Sequence, residues 1–239
     1  MNDALRVDSL SKRFGGIQAV SEVSFSVSPG EAFGVIGPNG AGKTTLFNII
    51  AGTIRTSSGS IEVSGARIER LPTFKRARLG LARTFQRAEV FPELTVRQNL
   101  AIASLHAEGG RLLWPLEELL DTVGLTKSVS KTASRLTVFE RQRLAIGMGL
   151  AGAPQVLLLD EPSGGLVESE VRELTALLRR LSAQGLTLVV IDHKMKMIME
   201  VCDRILVMMA GRELFIGTPA EVTSHPEVIT AYLGQGALS

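Results

Sequence analysis

One short segment constrains the fold of this chain more than any other feature. It reads Gly37, Pro38, Asn39, Gly40, Ala41, Gly42, Lys43, Thr44 and Thr45. The segment matches the pattern G-x-x-x-x-G-K-[ST] and follows an apolar run at 33–36, which predicts a strand, a glycine-rich turn and then a helix. Backbone N–H groups in such a turn converge in front of the positive end of the helix dipole. The segment therefore predicts a polyphosphate cradle, in which Lys43 reaches the terminal phosphates and the Thr44 hydroxyl ligates Mg²⁺.

A second motif follows the apolar run at 156–159, which predicts a strand buried on both faces. Asp160 comes next, at the carboxyl edge of the predicted sheet, where α/β sheets bind their ligands. A carboxylate there can hold Mg²⁺ through water, opposite Thr44, and Glu161 can orient or deprotonate a water that attacks a γ-phosphate. Without Lys43, two solvated acids at a strand end would be the better interpretation.

The order of the remaining runs predicts an α/β fold with a mostly parallel sheet covered by helices. The predicted strands of that sheet lie at 33–36, 156–159, 186–191 and 204–208, and the predicted helices at 44–51, 168–184 and 194–201. Three early runs have no helix between them and predict an antiparallel β subdomain, at 5–10, 17–27 and 60–63. The run at 213–217 predicts the return strand of a hairpin, and a capping box at 218–221 predicts the start of a further helix.

The pattern changes between residues 88 and 152, where strand signals vanish and helical periodicity covers 95–105 and 116–123. We interpret this stretch as a helical subdomain inserted into a nucleotide-binding core of the P-loop type. The first part of the core then spans 1–87, the helical subdomain 88–152, and the second part of the core 153–239.

Composition excludes few classes of function. The net charge is only +2, so bulk electrostatics do not favour nucleic acid, and the basic cluster at 75–78 is interpreted as a solvated helix face. Cys202 is the single cysteine, which precludes an internal disulfide and predicts a small core residue. The N-terminus does not resemble a signal peptide, and the apolar stretch at 144–159 is too short and too rich in glycine to span a membrane. We expect a cytosolic protein, including one that docks on a membrane partner.

Around these motifs the chain resembles the ATP-binding subunits of ABC transporters over nearly its whole length, which implies ATP and Mg²⁺ as cofactors. The resemblance implies that Gln86 contacts Mg²⁺ and the attacking water, and that His193 contacts the γ-phosphate. It also implies that Phe14 stacks on adenine, with Val20 beside it. Taken alone, Gln86 could be a polar loop residue, His193 a satisfied histidine and Phe14 a core residue. Their order and spacing around both phosphate motifs favour the family roles.

Within that family the chain is most similar to the ATPase subunits of branched-chain amino-acid importers, through residues 14–16, 78–86 and 225–234. Residues 146–148 also resemble related urea importers, which leaves the substrate class open. The likeness implies a second ATPase subunit and transmembrane permease subunits as partners, with an extracytoplasmic solute-binding protein acting indirectly. It places the chain at the cytoplasmic face of the inner membrane. An ABC-type ATPase of DNA repair or translation is the rival, but this chain has neither a second ATPase unit nor a long coiled insertion, and no nucleic-acid partner is expected.

Two departures from the family pattern concern the surface that one subunit lends to the ATP of its partner. The family signature reads Leu-Ser-Gly-Gly-Gln, and the aligned residues here are Leu136, Thr137, Val138, Phe139 and Glu140. A phenyl ring at Phe139 is expected either to fill the phosphate space or to be turned away by a backbone shift, and Val167 stands where the family has Asp or Asn. We therefore expect an asymmetric heterodimer. The alternatives are that Phe139 merely packs aside, or that the chain is a low-activity regulatory subunit.

Overall fold

The computed structural model describes residues 3–84, 89–104 and 114–233, and its strands form two sheets. The smaller sheet is antiparallel where its neighbours pair, in the order β2-β1-β4-β5. Its strands are β1 (Leu5–Phe14), β2 (Ile17–Val27), β4 (Ser58–Val63) and β5 (Ala66–Arg67). The strands of the larger sheet are β3 (Ala32–Ile36), β6 (Leu81–Arg83), β7 (Val156–Asp160), β8 (Thr187–Ile191), β9 (Arg204–Met209) and β10 (Arg212–Gly217).

The larger sheet has the order β10-β9-β3-β8-β7-β6, and all its neighbours are parallel except the β9–β10 hairpin. Every residue of β3, β7 and β8 is buried, as a sheet covered on both faces requires. Parallel strands end at a common edge, so the loops after Ile36, Asp160 and Ile191 lie side by side. That edge carries the candidate site.

Helices cover both faces of this sheet. The α-helices of the described residues are α1 (Lys43–Ala51), α2 (Thr73–Arg78), α3 (Val96–Ser104), α4 (Leu116–Thr122), α5 (Val138–Leu150), α6 (Glu168–Ala183), α7 (Met195–Val201), α8 (Pro219–Ser224) and α9 (Pro226–Leu233). Alternate residues of β7 point into two cores. Leu157 and Leu159 pack with α5, α6 and α7, whereas Val156 and Leu158 pack with α1 and the antiparallel sheet. The described chain is therefore layered as helices, parallel sheet, then α1 with the antiparallel sheet.

The structure confirms the predicted α/β fold with its mostly parallel sheet and added antiparallel strands. It also confirms the hairpin that returns through β10 and the capping box before α8, where Thr218 accepts from the Glu221 amide. Between residues 89–104 and 114–152 the structure has helices and no strand longer than an isolated bridge between Thr95 and Thr132. Within the described ranges, no helix has both the length and the apolar character needed to cross a membrane.

The basic cluster at 75–78 corrects one expectation, because it is not a uniformly solvated face. Arg76 is only 2% exposed, and its Nη1 donates to the carbonyl oxygens of Ile49 and Ile50 at 2.6 and 2.7 Å. Those carbonyls lie in the last turn of α1, where backbone acceptors outnumber the available backbone donors. The Arg76 guanidinium supplies a donor to the Ile50 carbonyl and a second one to the Ile49 carbonyl, which also accepts from the Gly52 N–H at 3.1 Å.

Candidate nucleotide site

The phosphate cradle is the loop between β3 and α1, and its glycines permit a backbone that other residues would block. Gly42 adopts a φ of 99°, and a Cβ there would lie 2.4 Å from the carbonyl oxygen of Ala19. Helix α1 begins directly after Gly42, which provides no side-chain cap, and the first turn of the helix carries no acidic residue. The N-terminal amides of α1 are thus left to an external anion, which the helix dipole favours.

Lys43 lies folded over this loop. Its side chain is nearly buried, and Nζ donates to the carbonyl oxygens of Gly37 and Pro38 at 2.7 and 3.0 Å. Burial lowers the pKa of the Lys43 ammonium, while the charges of Glu161 and Asp160 oppose that shift. A partly desolvated cation above a ring of amides is well suited to bind the terminal phosphates of a nucleotide.

Two acids stand at the carboxyl end of β7. Asp160 is buried, and its Oδ2 accepts from Arg83 Nη2 at 2.7 Å. Glu161 has a left-handed φ of 49°, and its Oε1 lies 2.8 Å from His193 Nε2. Unfavourable backbone conformations of this kind persist where the surrounding structure fixes them, often at functional sites. The structure thus brings Glu161 and His193 into direct contact.

A cavity of about 440 Å³ lies beside Lys43, Glu161 and His193, whereas Asp160, Gly37 and Pro38 are not among its lining residues. The predicted site residues that line it are Asn39, Gly40, Ala41, Gly42, Lys43, Thr44, Thr45, Glu161 and His193. Ile17 on β2 also lines it and is 72% exposed. Phe14, at the end of β1, is 46% exposed with Lys12 Nζ 4.9 Å from its ring centroid, whereas Val20 is fully buried in the core. Gln86 lies outside the described residues.

The donors at this edge fit a magnesium-bound nucleotide. Thr44 offers a hydroxyl and Asp160 a carboxylate, which are hard oxygen donors of the kind Mg²⁺ takes. Among the described residues, no three His, Cys, Asp or Glu side chains cluster as a metal site of their own.

Comparison with known proteins decides the family. The sequence model described as "ABC transporter" matches residues 20–164, and one described as "Branched-chain amino acid ATP-binding cassette transporter" matches residues 212–237. The chain belongs to the ABC transporter family. Family members of this type hydrolyse ATP, and this chain is an ATPase cassette. Cassettes of the family dimerise and work with membrane permease subunits.

Three similar proteins cover almost the whole chain. The high-affinity branched-chain amino acid transport ATP-binding protein LivG of Salmonella typhimurium is 38% identical, over 97% of this chain and 98% of its own. BraF of Pseudomonas aeruginosa, with the same description, is 36% identical over 97% and 98%. A crystal structure of the ADP conformation of an ATP-binding cassette of an ABC transporter has a TM-score of 0.87 and 27% identity, covering 98% of this chain and 100% of that one.

In this ABC cassette the signature segment begins α5 without distortion. Thr137 caps the helix by accepting from the Glu140 amide at 3.1 Å, and Glu140 Oε2 accepts from the Thr137 amide at 2.9 Å. Phe139 is 7% exposed and packs in the core, with the Arg143 guanidinium 4.0 Å from its ring centroid. The phenyl ring therefore neither lies in front of the helix nor shifts the backbone, which corrects the expected obstruction.

The structure implicates two residues that the sequence analysis did not predict to be functional. Val138 and Phe139 both align with signature glycines. Val138, at the first position of α5, is 47% exposed, whereas Phe139 is buried, so only Val138 changes the surface. The capping-box spacing of Thr137 and Glu140 was the signal that could have placed it there. Arg83 is the second, and its contacts with Asp160 lie between strands distant in sequence, so no local pattern marked it.

Proposed function

We propose that this ABC ATPase drives an importer of branched-chain amino acids. The C-terminal match at 212–237 is the observation that carries the proposal, because the binding and hydrolysis of ATP do not require that segment. The relatives from Salmonella typhimurium and Pseudomonas aeruginosa support the same solute class. The solute itself would contact the permease and an extracytoplasmic solute-binding protein, and not this chain.

We propose that the site binds ATP with Mg²⁺, which supplies charge neutralisation at the β- and γ-phosphates. The amides of the loop and the Lys43 ammonium would bind the phosphates, and Thr44, Asp160 and Gln86 would hold the cation. Glu161 would accept the proton of the attacking water. His193 holds the Glu161 carboxylate at 2.8 Å, and its ring would also reach a γ-phosphate in the same cavity. Phe14, which is exposed, would stack on adenine, whereas Val20 is fully buried and does not line the cavity, so it would support that end only from within the core.

A larger cavity of about 840 Å³ lies away from the phosphate cradle and offers a place for the permease. Its walls include Leu79 beside β6, Ile102 on α3 and Met148 on α5. We propose that a permease helix occupies this groove, which would hold the chain at the cytoplasmic face of the inner membrane. We also propose that the chain is divided into a nucleotide-binding core at 1–87 and 153–239 and an inserted helical subdomain at 88–152.

We propose a heterodimer with a second ATPase subunit. The reason is no longer the buried Phe139 but two exposed valines. The two side chains that depart from the family pattern at the surface are Val138 and Val167, which are 47% and 61% exposed. Valine at either place offers neither the close backbone approach of glycine nor the polar group of Asp or Asn. A homodimer would place these valines at both composite sites, whereas a heterodimer spares one.

The test is transport by the reconstituted assembly with its permease, solute receptor and second ATPase. We expect ATP-dependent uptake of leucine but not of urea, lost with Lys43→Ala and retained with the exposed-lysine control Lys75→Ala. Uptake of urea instead would overturn the solute class. Equal loss of ATPase activity from Lys43→Ala and from the equivalent lysine variant of the partner would count against the asymmetric pair.

A further inference from the structure

Arg83 is a buried cation next to the candidate site that the mechanism above does not use. It is the last residue of β6 and pairs in register with Leu158 of β7. Its side chain is 9% exposed, and that of Asp160 is 3% exposed. Burying a charged pair this deeply is costly unless its geometry is good, so the arrangement calls for a role beyond stability.

Among the contacts of the Arg83 guanidinium, two reach different elements of the described chain. Nη2 donates to Asp160 Oδ2 at 2.7 Å, and Nη1 donates to Asn48 Oδ1 at 2.6 Å. Asn48 lies on α1 four residues after Thr44, which puts the two side chains on the same face of the helix, one turn apart. Arg83 thus joins the helix that carries Thr44 to the strand that carries Asp160.

We propose that Arg83 is a positioning residue for the magnesium site. A planar guanidinium fixes both the distance and the direction of its partners, which a lysine ammonium does not. By binding Oδ2, Arg83 would fix the orientation of the Asp160 carboxylate, which with Thr44 would hold the cation. The inference rests on the proposed Mg²⁺ site.

Arg83 could instead weaken Mg²⁺ binding by repelling the cation. Whether removing Arg83 raises or lowers the affinity for Mg²⁺ distinguishes this role from positioning. A guanidinium near the cation also repels it, so a purely electrostatic role means that removing Arg83 strengthens Mg²⁺ binding. A positioning role means that removal weakens it, because outer partners of metal ligands typically contribute about 10- to 100-fold to metal affinity. Lys43 is a further cation near Asp160, and the loop carbonyls to which it donates are not changed in any variant below.

The experiment titrates Mg²⁺ into the full chain with a fluorescent ATP analogue, and measures the analogue's affinity in EDTA separately. For Arg83→Met we expect the Mg²⁺ concentration at half-effect to rise about tenfold or more, with the affinity in EDTA changed less than about threefold. Mn²⁺ binding followed by electron paramagnetic resonance should weaken in parallel. The matched control is Arg204→Met, which removes an arginine that contacts Glu31 at 3.2 Å, remote from the cradle, and should leave the Mg²⁺ dependence unchanged.

Two milder variants apply if Arg83→Met fails to fold. Asn48→Ala removes the partner of Arg83 on α1, and Arg83→Lys keeps the charge without the planar guanidinium, so both should shift the Mg²⁺ dependence in the same direction by a smaller factor. Unchanged or tighter Mg²⁺ binding in these variants would overturn the inference while leaving the magnesium site intact. If the wild-type chain bound the nucleotide with the same affinity in the presence and absence of Mg²⁺, the proposed magnesium site would be overturned as well.

Discussion

Asp192 accepts two hydrogen bonds from Ser163, from the backbone N–H at 2.9 Å and from the hydroxyl at 2.6 Å. Asp192 directly precedes His193, and Ser163 follows Glu161 by two residues. The buried Asp192 carboxylate therefore ties the loop that carries His193 to the loop that carries Glu161. This link holds the two side chains in the register that allows their 2.8 Å contact.

Removing the Ser163 hydroxyl should loosen that link. We expect Ser163→Ala to lower the free energy of unfolding by about 1.5–3 kcal/mol, the usual range for a hydrogen bond to a charged group. We also expect ATP turnover to fall, because His193 loses its fixed position. Urea unfolding and steady-state hydrolysis check both. Ser182→Ala is the control, since its hydroxyl donates to the Gly30 carbonyl at 2.8 Å, away from the site, and equal turnover of the two variants would contradict the link.

Replacing Glu161 should separate binding from hydrolysis. In Glu161→Gln the amide cannot accept a proton from the attacking water, so we expect turnover to fall about 10²- to 10⁴-fold while ATP affinity persists. The assembled complex should accumulate with ATP bound, which can be measured by nucleotide retention on filtration. Glu168→Gln, at the exposed start of α6, is the control. Rapid hydrolysis by Glu161→Gln would remove its assignment as the general base.

Much of what could be predicted from the sequence depends on interactions between residues that are close together in the chain. The cradle, the fully buried strand β7 and the capping box at Thr218 each follow from residues close together in the chain, where turn geometry and side-chain periodicity decide the structure. The sequence assigned Glu161 and His193 separate roles at the γ-phosphate and did not predict a contact between them. The structure places them in contact across neighbouring strands.

Long-range packing decided what the sequence did not show. Strand β6 has three residues, too few for a periodic signal, so nothing announced that Arg83 would reach Asp160. The burial of Arg76 depends on where α1 ends relative to α2, which composition cannot reveal. The side of α5 that Phe139 faces depends on the core against which that helix packs. In each case the deciding partner is remote in sequence.

Substitutions at the two neighbouring signature positions, Val138 and Phe139, should affect different properties. Phe139→Ala should mainly lower the free energy of unfolding, by up to about 3–5 kcal/mol, because it removes a buried ring. Val138→Gly should instead raise ATP turnover of the assembled complex, because the backbone at the start of α5 becomes accessible to a phosphate held by the partner subunit. Chemical unfolding and complex turnover distinguish the two variants. If Phe139→Gly rather than Val138→Gly raised turnover, the ring would obstruct the surface after all.

Arg76 should contribute more to stability than its basic neighbours. Arg76→Met leaves the buried Ile50 carbonyl without the Arg76 donor, which costs about 1–3 kcal/mol for an unsatisfied group, while the Ile49 carbonyl still accepts from the Gly52 N–H. Arg78→Met, on the same helix, removes an exposed guanidinium 5.9 Å from the Phe74 ring centroid and should change stability by less than about 1 kcal/mol. Urea unfolding of both variants tests the contrast, and similar losses would contradict the capping role of Arg76.

Glu140 should make the stability of the signature helix depend on pH. Desolvation opposes its ionisation, but hydrogen bonds from Ser128, the Thr137 amide and Lys131 outweigh it and lower the pKa of Glu140 from 4.5 to about 2. Because the folded state has the lower pKa, the stabilisation is complete above about pH 4.5 and is lost as the pH falls towards 2.

The measurement is the difference in unfolding free energy between wild type and Glu140→Gln at pH 6, 4 and 3. We expect that difference to shrink as the pH falls, since glutamine does not titrate and the wild-type carboxylate becomes protonated. Ser128→Ala removes the donor at 2.6 Å from Glu140 Oε1, so it should raise the pKa of Glu140 and move the loss to higher pH. A difference that stays constant across this range would show that these donors do not hold the carboxylate ionised.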